Sequence, residues 1–205
     1  MKFTKFIIIF LIQINYAYSE NISKAYFAGG CFWCMEESFE KLDGVKEVIS
    51  GYSGGTTSNP TYKEVTYGNT GHFEVIEIVY DKEIISYEIL LQNFWLNIDP
   101  FDAFGQFCDK GYSYRSVAFY QNDLEKKLIG KSILEIEKKF QKKVLTYVRK
   151  FEIFYIAEDK HQDYYNEYFL NYLMYKKACG REELSLIHIS EPTRPLYISY
   201  AVFCL

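Results

Sequence analysis

The amino-acid sequence predicts an α+β fold: a single-domain α/β sandwich with a mixed sheet flanked by helices. Three observations carry that expectation. Strand-like and helix-like segments follow in the order β-α-β-β-α-β-α-β-α, mixing crossovers with neighbouring strands. Residues 72–80 alternate strongly, and both faces of the alternation are apolar apart from one glutamate each, as in a sheet covered on both sides. The chain has 205 residues, 49% hydrophobic and 24% charged, enough for one domain with a sizeable core.

In chain order, residues 25–28 read as a strand, Gly29-Gly30 as a sharp turn, and the segment from Cys31 as a helix with Phe32, Met35, Phe39 and Leu42 on one face. Residues 45–52 are β-rich, and the turn formers of 53–60 make a loop. Residues 61–67 fit one or two helical turns before Gly68-Asn69-Thr70-Gly71 breaks the chain. The strand 72–80 puts Phe73, Val75, Glu77 and Val79 on one side and Glu74, Ile76, Ile78 and Tyr80 on the other. Residues 86–96 are helical and stop at Asp99-Pro100. Residues 101–114 lack a period and read as one long loop, of the kind that tends to carry function. A short strand at 116–120 is followed by a helix that Asn122 and Glu125 cap, with Ile129, Ile133, Ile136 and Phe140 as its buried stripe. A further strand covers 148–156, and 158–172 is a helix with His161 near its start.

Composition narrows the function classes. The net charge is −4, and the lysines of 126–143 are interleaved with glutamates, so nucleic acid is not a partner and that helix face is simply solvated. Twenty Tyr and 17 Phe suit a Tyr-rich surface and core, and can also build small apolar pockets. Lys2 and Lys5 precede the apolar run 6–12, and Ala17 and Ser19 supply small residues for cleavage. Residues 1–19 therefore read as a signal peptide, giving an exported protein, periplasmic or secreted; the alternative is an uncleaved N-terminal membrane anchor. The five cysteines are odd in number and unevenly spaced, so at least some are chemical rather than structural.

Cys31 stands where a helix N-terminus favours a thiolate, beside the apolar Phe32 and Trp33. Cys31-Phe32-Trp33-Cys34 alone also suits a thiol–disulfide oxidoreductase. A zinc module drawn from Cys31, Cys34, Cys108 and His161 is the non-enzymatic reading, without a second Cys-x-x-Cys or His pair to support it. A glutamate on a covered strand face either has a raised pKa or pairs with a lysine or water, and spacing leaves both readings open for Glu74 and Glu77.

Gly30-Cys31-Phe32-Trp33, Gly51-Tyr52-Ser53-Gly54-Gly55, Asn59-Pro60-Thr61-Tyr62-Lys63-Glu64-Val65, Gly68-Asn69-Thr70-Gly71-His72-Phe73-Glu74, Tyr114-Arg115-Ser116 and His161-Gln162-Asp163-Tyr164-Tyr165 together resemble the peptide methionine sulfoxide reductases of the MsrA type. The resemblance runs over roughly residues 24–183 and implies a ferredoxin-like core. It implies that Cys31 is the nucleophile that attacks the sulfoxide sulfur and that Glu74 is the acid that protonates its oxygen. By the same resemblance, Phe32 and Trp33 form the methyl pocket, and Tyr62, Asp109 and Tyr114 hold the oxygen and orient the substrate. It implies the S epimer, peptidyl or free, as substrate and a sulfenic acid on Cys31. No bound cofactor or metal is expected; the reductant is external, a thioredoxin-like protein or a small dithiol, and the protein is a monomer that repairs oxidised exported proteins. Three departures stand out: Phe107-Cys108 before Asp109, Ile98 where a histidine is common, and Ser113 where glutamine is frequent.

A second thiol, or an external one, must resolve the sulfenic acid. Side chains at i and i+3 of a helix lie about 5–6 Å apart at Cβ, whereas a disulfide wants about 3.5–4.5 Å. A Cys31–Cys34 bond therefore needs the first turn to adjust, while Cys179, next to Gly180, could swing in. Cys34 and Cys179 rank equal as candidates, with Cys108 third. Residues 20–183 make the reductase domain. The tail 184–205 changes character, with Pro192 and Pro195 and no lysine; it reads as non-native, and neither Cys204 nor His188 is given a role.

Overall fold

A computed structural model describes residues 21–181. The expected signal peptide and the expected non-native tail lie outside the described residues.

The centre is β1 (Ile22–Ala28), β2 (Val45–Ser53) and β3 (Phe73–Asp81), with β3 antiparallel to both neighbours. Two short strands, β4 (Gly105–Gln106) and β5 (Asp109–Lys110), form a separate hairpin. The strands β6 (Val117–Tyr120), β7 (Tyr147–Lys150) and β8 (Phe154–Ile156) complete a six-stranded sheet in the order β7-β6-β1-β3-β2-β8. Only the β6–β7 pair is parallel, so the sheet is mixed, as expected.

Both faces of β3 are covered. Ile76, Ile78 and Tyr80 join a core with Phe27, Met35, Phe39, Leu90, Phe94 and Ile129. Met35 and Phe39 come from α1 (Phe32–Glu40), Leu90 and Phe94 from α3 (Tyr87–Leu96) and Ile129 from α4 (Asp123–Phe140), while Phe27 is on β1 and the small α2 (Tyr62–Tyr67) lies alongside. On the other face Phe73 and Val75 pack with Tyr26, Val117 and Phe119, closed by Tyr147, Phe151 and Phe154. The Tyr26 and Phe151 rings stack there at 3.7 Å.

Local signals hold at most boundaries. Thr61 and Glu64 form a capping box on α2, and Ser86 caps α3. Asn122 accepts from the Glu125 amide at 3.0 Å, while Glu125 reaches back to the Gln121 amide at 2.7 Å. On α4, Ile129 and Ile136 are buried, but Phe140 lies at the exposed end against Phe101.

Three expectations need correction. Residues 148–156 are not one strand: β7 and β8 lie on opposite edges of the sheet. Alternation fixes the pleat and says nothing about which neighbour supplies the hydrogen bonds. The segment 101–114 is not featureless, because it holds the β4–β5 hairpin and a 3₁₀ turn at Tyr112–Tyr114. Finally, 158–172 is not one helix. It breaks into a 3₁₀ turn (Asp159–His161), α5 (Tyr164–Glu167) and α6 (Phe169–Ala178). The cause is Gln162, whose side chain accepts from the Ser50 amide and donates to the Ser50 carbonyl, both at 2.9 Å. Serving β2 in that way takes the chain out of helix, and Asp163 follows with φ of 51°. Among the described residues no helix is long and apolar enough to cross a membrane.

Candidate active site

The site begins where β1 ends. A Cβ on Gly29 would come within 2.3 Å of the Met35 sulfur, and Gly30 has φ of 81° with Gln106 and Arg181 crowding its missing side chain. This close turn delivers Cys31 to the N-cap of α1, with non-helical φ and ψ of −57° and 119°. Its carbonyl accepts from the Cys34 and Met35 amides at 3.3 and 3.4 Å. An N-cap side chain leans toward the third helical residue, the direction a capping hydroxyl takes. In α1 that residue is Cys34, and the two sulfurs share a hydrogen bond. The separation expected of an ordinary helical i, i+3 pair therefore does not apply here.

At Cys31 burial works against the thiolate that a helix end favours. Burial pushes the Cys31 thiol well up, and its hydrogen bond to Cys34 and the nearby Cys34 and Glu74 charges add to this. The first free amide of α1, on Phe32, points instead at Glu74 Oε2, 3.1 Å away. For Cys34, burial alone would also raise the pKa. The hydrogen bond from Cys31, the Arg181 charge and the Tyr172 hydroxyl outweigh it and bring Cys34 down to about 7.

The two glutamates of β3 separate cleanly. Glu77 takes Lys24 at 2.7 Å and the Tyr26 hydroxyl at 2.6 Å, the paired case. Glu74 is 2% exposed, and its Oε1 has no hydrogen-bond partner among the described residues. Burial raises its pKa to about 8, assisted by the Asp109 charge and opposed by the Phe32 amide, Arg181 and Tyr114. Its carboxyl is therefore largely protonated at neutral pH.

Around this pair stands an aromatic wall. Phe32 lies 5.3 Å from His161, 6.1 Å from Tyr52 and 6.3 Å from Tyr62, ring to ring. Trp33 stacks on Tyr164 at 3.8 Å. The Tyr62 and Tyr114 hydroxyls interact, and burial and the Glu74 charge push both phenols up, so they remain donors. Glu158 fixes the Tyr62 side of the wall by accepting from the Tyr62 amide at 2.9 Å and the Tyr52 hydroxyl at 2.8 Å. Burial lowers the His161 pKa despite Glu158, so the ring is neutral. The Trp33 indole nitrogen and both His161 ring nitrogens are buried without hydrogen-bond partners among the described residues.

Asp109 comes in from the β4–β5 hairpin. A Cβ on Gly105 would meet the Asp109 carbonyl at 2.1 Å, so this hairpin requires glycine there. The Asp109 carboxylate accepts from the Tyr175 hydroxyl and from Arg181, the latter at 3.4 Å. Cys31, Cys34, Phe32, Trp33, Tyr62, Glu74, Asp109 and Tyr114 are thus brought together in one place. Arg181, Tyr172 and Tyr175 were missed; their only signal was proximity in sequence to Cys179. Arg181 is buried, donates to the Gly29 carbonyl at 3.3 Å and lies over the Phe107 ring at 4.5 Å.

Cys179 is bonded to Cys108, with Cα atoms 4.9 Å apart, while Cys31 and Cys34 are free thiols. That bond dismantles the zinc set drawn from Cys31, Cys34, Cys108 and His161. It also separates two candidates that sequence left level, because Cys34 is a thiol and Cys179 is not.

With this geometry in place, comparison with known proteins is decisive. The family model described as peptide methionine sulfoxide reductase matches residues 23–191. The chain belongs to that family. It is an oxidoreductase, a peptide-methionine sulfoxide reductase. It is 48% identical over 164 residues to the peptide methionine sulfoxide reductase MsrA of Listeria monocytogenes serotype 4b, covering 79% of this chain and 93% of that protein. The MsrA of Halalkalibacterium halodurans is 42% identical over 171 residues, 82% of this chain and 97% of the other. Among solved structures, reduced Mxr1 of Saccharomyces cerevisiae aligns with a TM-score of 0.67 at 30% identity, covering 71% of this chain and 85% of that one. Methionine sulfoxide reductase A of Corynebacterium diphtheriae gives 0.65 at 26%, covering 71% and 74%.

Proposed function

We propose that this reductase acts on the S epimer of methionine sulfoxide, peptidyl or free, with Cys31 as nucleophile and Glu74 as acid. One observation carries the reading: a buried, protonated carboxyl bonded to the Phe32 amide, one residue past a buried thiol, with its second oxygen unpartnered among the described residues. A sulfoxide is a poor electrophile until its oxygen is protonated, and an acid with a pKa of about 8 is matched to that task. Phe32 and Trp33 receive the S-methyl group, while Tyr62 and Tyr114 donate to the oxygen. Asp109, tied to Tyr175 and Arg181, orients the rest of the substrate.

Cys31 attacks the sulfoxide sulfur, and its proton passes across the hydrogen bond to Cys34. Glu74 protonates the oxygen, which ends on Cys31 as the sulfenic acid while methionine leaves. Cys34 then attacks the sulfenic sulfur, the Cys31–Cys34 disulfide forms, and water carries off the hydroxyl and a proton. An external thiol, from a thioredoxin-like protein or a small dithiol, restores the pair, and no bound cofactor takes part. The protein works as a monomer. The basic-apolar-small pattern of residues 1–19 supports export: an N-terminus at Glu20 is expected on the protein recovered outside the cytoplasm, and one at Met1 would overturn it.

The deciding assay is thiol-dependent reduction of the two methionine sulfoxide epimers by wild type and Cys31→Ser. Wild type consumes only the S epimer and Cys31→Ser neither; equal use of both epimers would overturn the stereochemical reading.

A further inference from the structure

Cys34 opens on a cavity of its own. About 450 Å³ in volume, it is lined by Cys34, Glu37, Lys41, Phe107, Lys176 and Arg181 among others, but not by Cys31 or any residue of the aromatic wall except through Cys34's own helix. Its charged lining is three cations against one carboxylate. Glu37 already accepts from Lys41 and Lys176, each at 2.6 Å. Arg181 is the more telling group: its side chain is only 5% exposed, and its Nε has no hydrogen-bond partner among the described residues. Arg181 stands on the cavity wall, and a buried guanidinium N–H without an acceptor carries a desolvation cost that an incoming anion relieves.

We propose that this cavity is the entry for the reductant, and that it takes a small thiol bearing a carboxylate. The carboxylate sits against Arg181 between the two lysines, and the thiol meets Cys34. This rests on the Cys31–Cys34 disulfide of the reading above. A thiolate attacks Cys34 Sγ, the Cys31–Cys34 bond breaks, and Cys31 leaves with the electron pair and takes up a proton. A second thiolate attacks the outer sulfur of the mixed disulfide, releasing the oxidised small disulfide and Cys34. Two thiols are oxidised and one protein disulfide is reduced. Cys34 is only 6% exposed, which suits a small molecule better than a cysteine fixed on another protein's surface.

The test compares three thiols of similar size as reductants: 3-mercaptopropionate, 2-mercaptoethanol and 2-aminoethanethiol. Rates are normalised to thiolate concentration and to each thiolate's rate with a small-molecule disulfide, which removes its intrinsic nucleophilicity, and mass mapping identifies which cysteine carries the mixed disulfide. The expected order is anionic, neutral, cationic, with at least tenfold between the extremes and the adduct on Cys34. In Lys41→Glu/Lys176→Glu the anionic-to-neutral ratio falls to about one; Asn97→Asp, on the same wall, lowers it in the same direction should the double reversal fail to fold. No charge order in wild type, an order that survives both variants, or an adduct confined to Cys108 or Cys179 overturns the proposal. A single turnover without any thiol separates the two readings. If wild type then yields no methionine, the Cys31 chemistry has failed; if it yields methionine with no charge order, only the cavity has.

Discussion

The molecule carries two cysteine pairs that differ in almost every respect. Cys31 and Cys34 are neighbours in sequence, buried, and both reduced. Cys108 and Cys179 are 71 residues apart, one exposed and one buried, and joined. Closeness alone does not make a catalytic thiol. Around Cys31 stand a protonated acid, an aromatic wall and a partner thiol at about pKa 7, whereas the second pair has Asp109 beside it, already engaged by Tyr175 and Arg181. The second pair instead ties the hairpin that presents Asp109 to the segment that presents Arg181. It organises the site from outside.

That contrast can be broken one thiol at a time. Cys31→Ser has the largest effect: no methionine forms even in a single turnover with excess enzyme. Glu74→Gln keeps the shape and an acceptor for the Phe32 amide but supplies no strong acid, so the single-turnover rate falls by about 10²- to 10⁴-fold. A loss below tenfold would remove Glu74 from the acid role. Cys34→Ser is milder at first, since one methionine per chain still forms. It then stalls with Cys31 as a sulfenic acid, which a dimedone adduct seen by mass spectrometry would report. If Cys34→Ser instead cycles normally with thiol, the resolver lies elsewhere.

Cys108→Ser/Cys179→Ser sharpens the comparison from the other side. Closing a loop across 71 residues stabilises by about 4 kcal/mol at most in the chain-entropy account. The double variant therefore unfolds at lower denaturant, while Cys31 still turns over once. The same protein tests whether the second pair also accepts oxidation. Wild type reduced at both of these pairs releases two methionines per chain without external thiol if oxidation passes from Cys31–Cys34 to Cys108–Cys179, and one if the second pair only holds the segment.

How much of this was legible in sequence depends on whether the determining contact is local. The caps at Thr61, Ser86 and Asn122, the Gly29-Gly30 turn and the two faces of β3 are set within a few residues, and sequence displays them. Strand partners are not local, so 148–156 looked like one strand although it serves both edges of the sheet. Gln162 ended a helix by bonding to Ser50, 112 residues away, which no periodicity could reveal. The family pattern found the residues of the site, but their electrostatics depended on spatial neighbours. The helix end favours a thiolate at Cys31, but burial opposes it and the Phe32 amide goes to Glu74. Arg181 had no sequence signal beyond standing two residues after a cysteine, yet it reaches Gly29, Asp109 and Phe107.

The smallest predicted effect concerns a second buried carboxyl, on the same helix as the thiols. Glu36 is 1% exposed and accepts from the Asp163 amide at 3.0 Å and the Ser50 hydroxyl at 3.3 Å. Burial raises its pKa to about 8, with Glu40 and Asp163 adding like charge and the two hydrogen bonds opposing. The folded protein therefore binds more protons than the unfolded chain between about pH 4.5 and 8, so this group's contribution is full below that window and is lost as pH rises through about 8. Glu74 titrates in the same sense, and the two together should lower the thermal midpoint from pH 5 to pH 9. Glu36→Gln retains an acceptor for the Asp163 amide and cannot ionise. Its midpoint should fall less over that range than wild type's, with the two curves closest at pH 5. A parallel fall in both would mean that Glu36 meets enough water or charge compensation to ionise without cost, and that Glu74 alone sets the alkaline limit of the fold.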